Sequence, residues 1–244
     1  MRIAIDIGGT KIAAGVIQKK TLLTVIEQPT QTNIAKQIQT LIEQLNPKQK
    51  KITRISIAYP SPIVNKKLDF AKNLKKQDAQ LVKKLQKIAP VFIQNDVNCV
   101  AVGLQTLQKT PKDFAVINIG TGLGCAIVIN KKLLNGHTGY AGEIGNLPYK
   151  ESILENYVSG HYFETHTKKQ LREFSHHLAY CITLLSLAID TPVIYLHGSV
   201  TQAYKLCKSD VQKELQKINS FRKKLPQIKI ITKNHIALIG ADSL

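Results

Sequence analysis

The chain has 244 residues, 43% hydrophobic and 20% charged, a balance typical of a globular protein with a substantial core. Its net charge of +18 would suit a polyanionic partner. The lysines are scattered, however, and no nucleic-acid-binding motif accompanies them, so we interpret them as a solvated surface and expect no nucleic-acid partner. No apolar run approaches the ~18 residues of a transmembrane helix. With no signal-peptide pattern at Met1–Asp6, the sequence predicts a cytoplasmic protein without a membrane partner.

The cysteines are widely spaced and include no C-x-x-C pair, which disfavours a disulfide framework or a cysteine-rich zinc site. We expect them to be buried as small apolar side chains. They are Cys99, Cys125, Cys181 and Cys207.

The first half of the chain alternates strand and helix patterns. Apolar residues recur at helical spacing in Ile34–Leu45 and again at Leu74, Leu81, Leu85 and Ile88, and a further helix is expected from about Asn95-Asp96 to Thr106. A three-strand meander followed by alternating helices and strands predicts an α/β fold. The predicted strands are Arg2–Ile7, Ile12–Ile17, Leu22–Glu27, Ile52–Ala58 and Val91–Gln94.

The second half restarts the same plan. Because each half opens with a meander, we predict a structural duplication with two domains, 1–109 and 110–244. The boundary between them lies near Pro111. The predicted strands are Phe114–Ile119, Cys125–Ile129, Lys132–Leu134, Val193–Leu196 and Ile228–Ile231. The predicted helices are Leu154–His161, Phe163–Ile189 and Val200–Lys224.

Two glycine-rich turns, each between two strands, are the main functional signal. They are Gly8-Gly9-Thr10-Lys11 and Gly120-Thr121-Gly122. Glycines let backbone N–H groups approach a ligand closely, and successive exposed amides favour phosphate. One such hairpin could be an ordinary turn, but two, each with a threonine, suggest a polyphosphate held from two sides. Neither a G-x-x-x-x-G-K-[ST] nor a G-x-G-x-x-G helix start occurs, which excludes the two commonest phosphate motifs.

Six segments in order resemble the ROK family of bacterial sugar kinases, repressors and related proteins. Asn95–Asn98 resembles its N-D-x-N motif, Gly136–Gly145 its G-x-x-G-x-A-G-E-x-G motif and Leu154–Gly160 its L-E-x-Y-x-S-G motif. Asp6–Lys11 and Gly120–Gly124 resemble its phosphate loops, and Gly198-Ser199 stands at its adenosine-contacting turn. The resemblance implies two ribonuclease-H-like lobes with a nucleotide and sugar cleft between them.

The resemblance also implies roles for individual residues. Asp96 would accept the proton of the sugar's 6-hydroxyl, although such an aspartate can also be a helix N-cap. Asn95, Glu143, Asn146 and Glu155 would bind the sugar, and Asp6 would reach Mg²⁺ through water. The residues expected to bind the nucleotide are Gly8, Gly9, Thr10, Lys11, Gly120, Thr121, Gly122, Gly198 and Ser199, of which Lys11 is the weakest because such a lysine is usually only solvated.

The chain departs from the family pattern in three places. Asn146 stands where a histidine is common; it can bind a hydroxyl but is a poor zinc ligand. The C-x-C-G-x-x-G-C zinc segment is missing, since Leu147–Ile153 joins the two glutamate motifs directly, and His161, His166, His176 and His177 lack ligand spacing, so no structural zinc is expected. The segment before Val91 is shorter than is usual in the family, and the C-terminal helix that usually follows Gly240-Ala241 stops at Leu244. The identity of the substrate and the formation of a homodimer are therefore left open.

The leading interpretation is an ATP- and Mg²⁺-dependent kinase that phosphorylates the 6-hydroxyl of a hexose, glucose first. Variants of it use inorganic polyphosphate, which the charge of +18 suits, or an N-acetylated amino sugar. The alternatives are a sugar- or nucleotide-binding protein that has lost catalysis, and a sugar-sensing repressor. A repressor would carry an N-terminal helix-turn-helix, for which a strand beginning at Ile3 leaves no room.

Overall fold

The computed structural model describes residues 1–64, 67–68, 81–160, 167–221 and 224–244. Its strands are β1 (Arg2–Ile7), β2 (Lys11–Gln18), β3 (Thr21–Pro29), β4 (Arg54–Tyr59), β5 (Ile63–Val64), β6 (Lys67–Leu68), β7 (Val91–Asn95), β8 (Phe114–Ile119), β9 (Leu123–Ile129), β10 (Lys132–Leu133), β11 (Pro148–Tyr149), β12 (Ser152–Ile153), β13 (Val193–His197) and β14 (Gln227–Ile230). Its helices are α1 (Ile34–Leu45), α2 (Leu81–Gln86), α3 (Asp96–Leu107), α4 (Glu155–Val158), α5 (Lys168–Ile189), α6 (Thr201–Ile218) and α7 (Ile236–Ser243), and a 3₁₀ turn spans Ile144–Asn146.

The chain forms two compact units. The first comprises Met1–Thr110, Asn135–Ala141 and Lys233–Leu244, and the second comprises Pro111–Leu134 and Gly142–Thr232. Two segments of the second half of the sequence therefore belong to the first unit. The domains expected at 1–109 and 110–244 stay a prediction.

The two units contain sheets of the same design. The strand order is β3-β2-β1-β4-β7 in the first and β10-β9-β8-β13-β14 in the second. In each, an antiparallel meander is extended by two parallel strands beside its first strand. The predicted α/β fold and its structural duplication are confirmed.

Buried apolar stripes account for these elements. Strand β1 buries Ile3, Ala4, Ile5 and Ile7, the continuous apolar run of a central strand covered on both faces. Helix α1 buries residues at i, i+4, i+7 and i+8 from Ile34, and Asn33 caps it by accepting a hydrogen bond from Lys36 N–H. All four cysteines are free and buried, as predicted.

Several helix boundaries differ from the predictions. Helix α6 ends at Ile218 and not near Lys224, because the Asn219 side chain donates to the Leu215 carbonyl and to Thr183 Oγ1 and terminates it. The helix expected over Leu154–His161 is, within the described residues, the single turn α4, since Ser159 is extended. Residues 161–166 and the helical position Leu74 lie outside the described residues.

Three further element boundaries are defined by the structure. Helix α5 begins at Lys168, because Thr167 and Gln170 form a reciprocal capping box. Strand β4 begins at Arg54 rather than Ile52. The last helix begins at Ile236, before the expected start after Gly240-Ala241, so both of those residues lie inside it.

Glycines bring α7 and α3 together. A Cβ at Gly240 would overlap the Cys99 carbonyl oxygen, and a Cβ at Gly103 would overlap that of Ile236. The two backbones therefore pack in direct contact. At the other side of α7, Asp242 is 3% exposed and accepts a hydrogen bond from Arg2 Nε at 2.8 Å. Helix α7 is thus tied to both α3 and β1.

Candidate functional site

The predicted residues of the first unit lie where parallel strands end. Asp6 on β1 is paired with Ala58 on β4, which is paired with Gln94 on β7. The carboxyl ends of β1, β4 and β7 therefore meet at one edge of the sheet, where ligands of α/β proteins usually bind. This edge carries Asp6, the Gly8–Lys11 turn, Asn95 and Asp96.

The Gly8–Lys11 turn is a closed hairpin. Gly8 N–H donates to the Lys11 carbonyl at 2.9 Å, and a Cβ at Gly8 would lie 2.8 Å from that same oxygen, so glycine is required there. Thr30 holds the turn from outside: its hydroxyl donates to the Gly8 carbonyl at 2.7 Å and its N–H to the Thr10 carbonyl at 2.9 Å. Thr30 was missed in the sequence because a single threonine at a strand end has no motif.

Lys11 is paired rather than merely solvated. Its Nζ lies 2.9 Å from Glu27 Oε2, with the two side chains 63% and 37% exposed. A pair this exposed contributes roughly 0–1 kcal/mol. It leaves Lys11 within reach of solvent, and a role in phosphate binding stays a prediction.

Asp6 lies in an unfavourable setting for a charge. Burial raises its pKa to about 6, with the Lys11 ammonium lowering it and Glu27 raising it. The ionised form therefore lacks a full counter-charge, which a bound cation would supply. Asp6 as a whole residue is partly exposed.

The N-terminus of α3 presents the Asn95-Asp96 pair. Asn95, not Asp96, is the N-cap: its Oδ1 accepts from Asn98 N–H at 3.1 Å. Asp96 occupies the first helical position, and its Oδ1 accepts from Val97 N–H at 2.8 Å. The N-cap interpretation of Asp96 is therefore wrong. A carboxylate has about four acceptor positions, so this bond leaves capacity for a substrate hydroxyl.

In the second unit, the glycine loop follows β8. Gly120 N–H donates to the Gly122 carbonyl at 3.0 Å, and Gly160 N–H donates to the Gly120 carbonyl at 2.7 Å. A Cβ at Gly160 would lie 2.8 Å from that Gly120 oxygen. Gly160 thus supports the loop, a role that its place at the end of the L-E-x-Y-x-S-G motif did not reveal.

The turn at Gly198-Ser199 lies beside the same loop. Strands β8 and β13 are parallel neighbours with Asn118 opposite His197, so their carboxyl ends lie together. Gly198 has φ +96°, and a Cβ there would overlap the Ile119 carbonyl oxygen. Val200 N–H also donates to Ile119 O at 3.1 Å. The predicted nucleotide-binding glycines of this unit are therefore brought together, and Ser199 is exposed next to them.

The Asn118 and His197 side chains join the two strand ends. Asn118 Oδ1 and His197 Nδ1 are 3.0 Å apart. Burial lowers the pKa of His197 to about 4, so the ring is neutral at pH 7. Neither residue was singled out from the sequence, since an isolated histidine or asparagine in a strand carries no motif.

The predicted sugar-binding residues of the second unit also lie close together. Glu143 Oε2 accepts from Asn146 Nδ2 at 3.0 Å. Glu155 Oε2 accepts from Leu123 N–H at 2.9 Å. A Cβ at Gly145 would overlap the Leu123 carbonyl oxygen and lie 3.5 Å from Glu155 Cβ, so Gly145 seats the two glutamate motifs against the glycine loop. Glu143 and Glu155 are partly exposed and Asn146 is exposed.

Within the described ranges, no three His, Cys, Asp or Glu side chains are grouped so as to hold a metal ion. Magnesium does not require such a group, because it usually binds through one or two carboxylates together with substrate phosphates and water. Asp6, an oxygen donor beside the Gly8–Lys11 turn, fits that pattern. In the same described ranges, no helix combines the length and apolar character needed to cross a bilayer.

Comparison with known proteins gives a consistent picture. The ROK family model matches residues 2–161. A glucokinase of Streptomyces coelicolor is 33% identical over 158 residues, covering 60% of this chain and 49% of that protein. An N-acetylmannosamine kinase of Vibrio cholerae is 31% identical over 158 residues, covering 59% and 53%. The two alignments thus span about half of each relative.

A solved structure extends the likeness to the whole fold. It is a ROK family glucokinase from Streptomyces griseus, determined in complex with glucose and AMPPNP. The TM-score is 0.85 at 21% sequence identity, and the superposition covers 99% of this chain and 98% of that one. At this identity, the likeness shows a common fold.

Proposed function

This chain belongs to the ROK family, and we propose that it is a sugar kinase that transfers the γ-phosphate of ATP to the 6-hydroxyl of a hexose, glucose first. A sugar kinase is supported by the glucokinase and N-acetylmannosamine kinase relatives and by the shared fold. The sugar, the acceptor hydroxyl and the residue roles are our proposal. The cytoplasmic location and the homodimer remain predictions.

The observation that carries the proposal is the placement of Asp96. Its carboxylate stands at the first position of a 12-residue helix, where the helix dipole stabilises negative charge. The bond from Val97 N–H fixes the carboxylate's orientation. A fixed carboxylate is suited to accept a proton from an attacking hydroxyl, a contribution of typically 10²–10⁴-fold in rate.

We assign the chemistry as follows. Asp96 takes the proton of the 6-hydroxyl as that oxygen attacks the γ-phosphorus of ATP; the bond from that phosphorus to the β–γ bridging oxygen breaks, and ADP leaves. Backbone N–H groups of the Gly8–Lys11 and Gly120–Gly122 loops donate to the phosphate oxygens. Asp6 would hold Mg²⁺, through water, and the ion would neutralise charge on the transferring phosphate.

Sugar recognition is assigned to Asn95, Glu143, Asn146 and Glu155. Carboxylates accept hydrogen bonds from sugar hydroxyls. The Asn95 side chain caps α3 through Oδ1 and donates one amide hydrogen to Ser61 O at 3.4 Å, and its second amide hydrogen can donate to a sugar hydroxyl. Asn146 donates one amide hydrogen to Glu143 and thereby orients that carboxylate. The exposed Asn146 amide can also pair with the amide of an N-acetyl group, so an N-acetylated amino sugar is the second candidate, in line with the Vibrio relative.

The donor is tested separately. ATP is the first choice, and AMPPNP is bound in the Streptomyces griseus structure. The net charge of +18 keeps inorganic polyphosphate as an alternative. Purified protein should be incubated with Mg-ATP or Mg-polyphosphate and glucose, N-acetylglucosamine or N-acetylmannosamine, with ³¹P NMR of the product. A sugar 6-phosphate is expected; donor hydrolysis without sugar phosphorylation, or no turnover with any pair, would refute the proposal.

A further inference from the structure

A short hairpin connects the two glutamate motifs. Strands β11 and β12 pair Pro148 with Ile153 and Tyr149 with Ser152, and Leu154 N–H donates to Leu147 O at 3.0 Å to close the base. Asn146 precedes this hairpin directly and Glu155 follows it. The hairpin therefore lies between two of the residues assigned to the sugar.

The hairpin is fastened to helix α5 by a group of rings, the Tyr149 cluster, formed by Tyr149, Tyr157, His177 and Tyr180. The Tyr149 ring lies 5.3 Å from Tyr157, 5.6 Å from His177 and 4.7 Å from Tyr180, measured between centroids. The Tyr149 hydroxyl and His177 Nδ1 are joined by a 3.0 Å hydrogen bond. Pairs of tyrosine rings in such arrangements stabilise packing beyond the burial of their surface.

Helix α5 is a rigid support for this cluster. It has 22 residues and buries Phe174, Leu178 and Ile182 in the core of the second unit. His177 itself is 3% exposed. Because the buried His177 side chain bonds to Tyr149 on strand β11, it restricts where the hairpin can lie.

The groups that face His177 keep its ring neutral. Its pKa is lowered to about 4, mainly by burial and also by Lys150 and His176, with Glu173 acting in the opposite direction. Lys150 Nζ lies 5.7 Å from the Tyr149 ring and 5.4 Å from the Tyr157 ring. His176 is held by Glu214 at 2.9 Å. Around neutral pH the Tyr149–His177 bond is thus a bond between uncharged groups.

We propose that the Tyr149 cluster positions the sugar-binding glutamates. Tyr149 and His177 act as positioning residues: they fix the hairpin, and through it the orientation of Asn146, Glu143 and Glu155. This inference rests on the proposed sugar-kinase function. It assigns the support of the Leu147–Ile153 segment, which contains neither cysteine nor histidine, to an aromatic group.

The test separates positioning from folding. Tyr149→Ala should raise the KM for glucose at least tenfold while the KM for ATP and kcat stay within about threefold, because Glu155 can still accept from Leu123 N–H and the Gly160 bond to the second glycine loop is intact. Tyr149→Phe keeps the ring but loses the bond to His177, and should raise the KM for glucose by a smaller factor, about threefold. Phe221→Ala, an exposed aromatic outside the cluster (68% exposed), is the matched control and should leave every constant unchanged.

The outcomes are distinguishable. Unchanged glucose KM in Tyr149→Ala, or equal changes in both KM values, overturns the positioning role. If Tyr149→Ala does not fold, Tyr149→Phe and His177→Gln decide: a glucose KM equal to that of the wild type in both overturns it. Calorimetry first measures the binding of glucose and of N-acetylmannosamine to the wild type. If the wild type shows neither binding nor turnover of these sugars, the kinase proposal itself is refuted.

Discussion

The Glu155 carboxylate accepts a hydrogen bond from the backbone N–H of Leu123 at 2.9 Å. Glu155 begins α4, and Leu123 ends the second glycine loop. A residue assigned to the sugar is thereby joined to a loop assigned to the phosphates. Because Leu123 is 6% exposed, its N–H has little access to water as a substitute partner.

Glu155→Gln and Glu155→Ala should therefore behave differently. The glutamine side chain can still accept from Leu123 N–H, so the unfolding free energy of Glu155→Gln should be close to that of the wild type. Its KM for the hexose should rise about tenfold. Alanine leaves the N–H without a partner, which costs about 1–3 kcal/mol and should raise the KM for ATP as well. Thermal unfolding and steady-state kinetics would measure both. Glu43→Gln, at an exposed site, is the control, and indistinguishable Gln and Ala variants would contradict this relationship.

Substitution by alanine should have opposite effects at two glycines, Gly120 in the second glycine loop and Gly198 beside it: the first should affect ATP binding and the second stability. At Gly120, no atom lies within 4 Å of an added Cβ, so Gly120→Ala should change the unfolding free energy by less than about 1 kcal/mol. Its methyl would instead obstruct the approach of phosphate, and the KM for ATP should rise tenfold or more. Gly198→Ala combines φ +96° with overlap of the Ile119 oxygen and should cost about 2 kcal/mol or more. Thermal melts and ATP titrations decide; a Gly120→Ala variant with normal ATP kinetics would remove that loop from the donor site.

The contact between α7 and α3 predicts a strong packing effect. Gly240→Ala should lower the unfolding free energy by about 3 kcal/mol, because the new methyl overlaps the Cys99 carbonyl and forces the helices apart. Ser243→Ala in the same helix, which loses only a hydroxyl bonded to Ile239 O, should change it by less than about 0.5 kcal/mol. Denaturant unfolding would measure both, and a Gly240→Ala protein of normal stability would show that the helices do not pack this closely.

Stability should decrease on mild acidification, because two buried histidines outweigh the opposite contribution of Asp6, whose pKa is raised by burial to about 6. Burial lowers the pKa of His177 and of His197 to about 4, below the unfolded value of 6.5. Unfolding then takes up protons between these values, so their contribution is complete above pH 6.5 and is lost as the pH falls toward 4. Each histidine adds a slope of up to about 1.4 kcal/mol per pH unit in that window. His197→Gln should flatten the measured slope of unfolding free energy against pH; an unchanged slope would contradict a buried neutral His197.

The fold was largely predictable from the sequence, because it rests on local patterns. Strands such as Arg2–Ile7 and Phe114–Ile119 were located to the residue, since their apolar runs end at glycine turns. The meander that opens each half of the sequence predicted the structural duplication of the two sheets. Helix ends were less predictable: that of α6 depends on the Asn219 side chain reaching Thr183, a residue far away in the sequence.

The site was predictable only where a motif marks it. Asp96 and Glu155 stand in recognisable segments, although their roles and the cleft between lobes stay predictions. Thr30, Gly160 and the Asn118–His197 pair support the glycine loops through contacts made only in the folded chain. The spacing of residues along the chain does not predict such contacts.

The most direct test of the proposed function is phosphorylation of glucose by the wild type and by Asp96→Asn with Mg-ATP. Asparagine can keep the bond from Val97 N–H but cannot take up the hydroxyl proton, so kcat should fall by about 10²–10⁴-fold with an unchanged fold. Asp113→Asn, whose carboxylate likewise accepts a backbone N–H, from Asn130 at 2.7 Å, should retain wild-type kcat. Asp96→Asn with wild-type kcat would show that Asp96 is not the base and would contradict the mechanism.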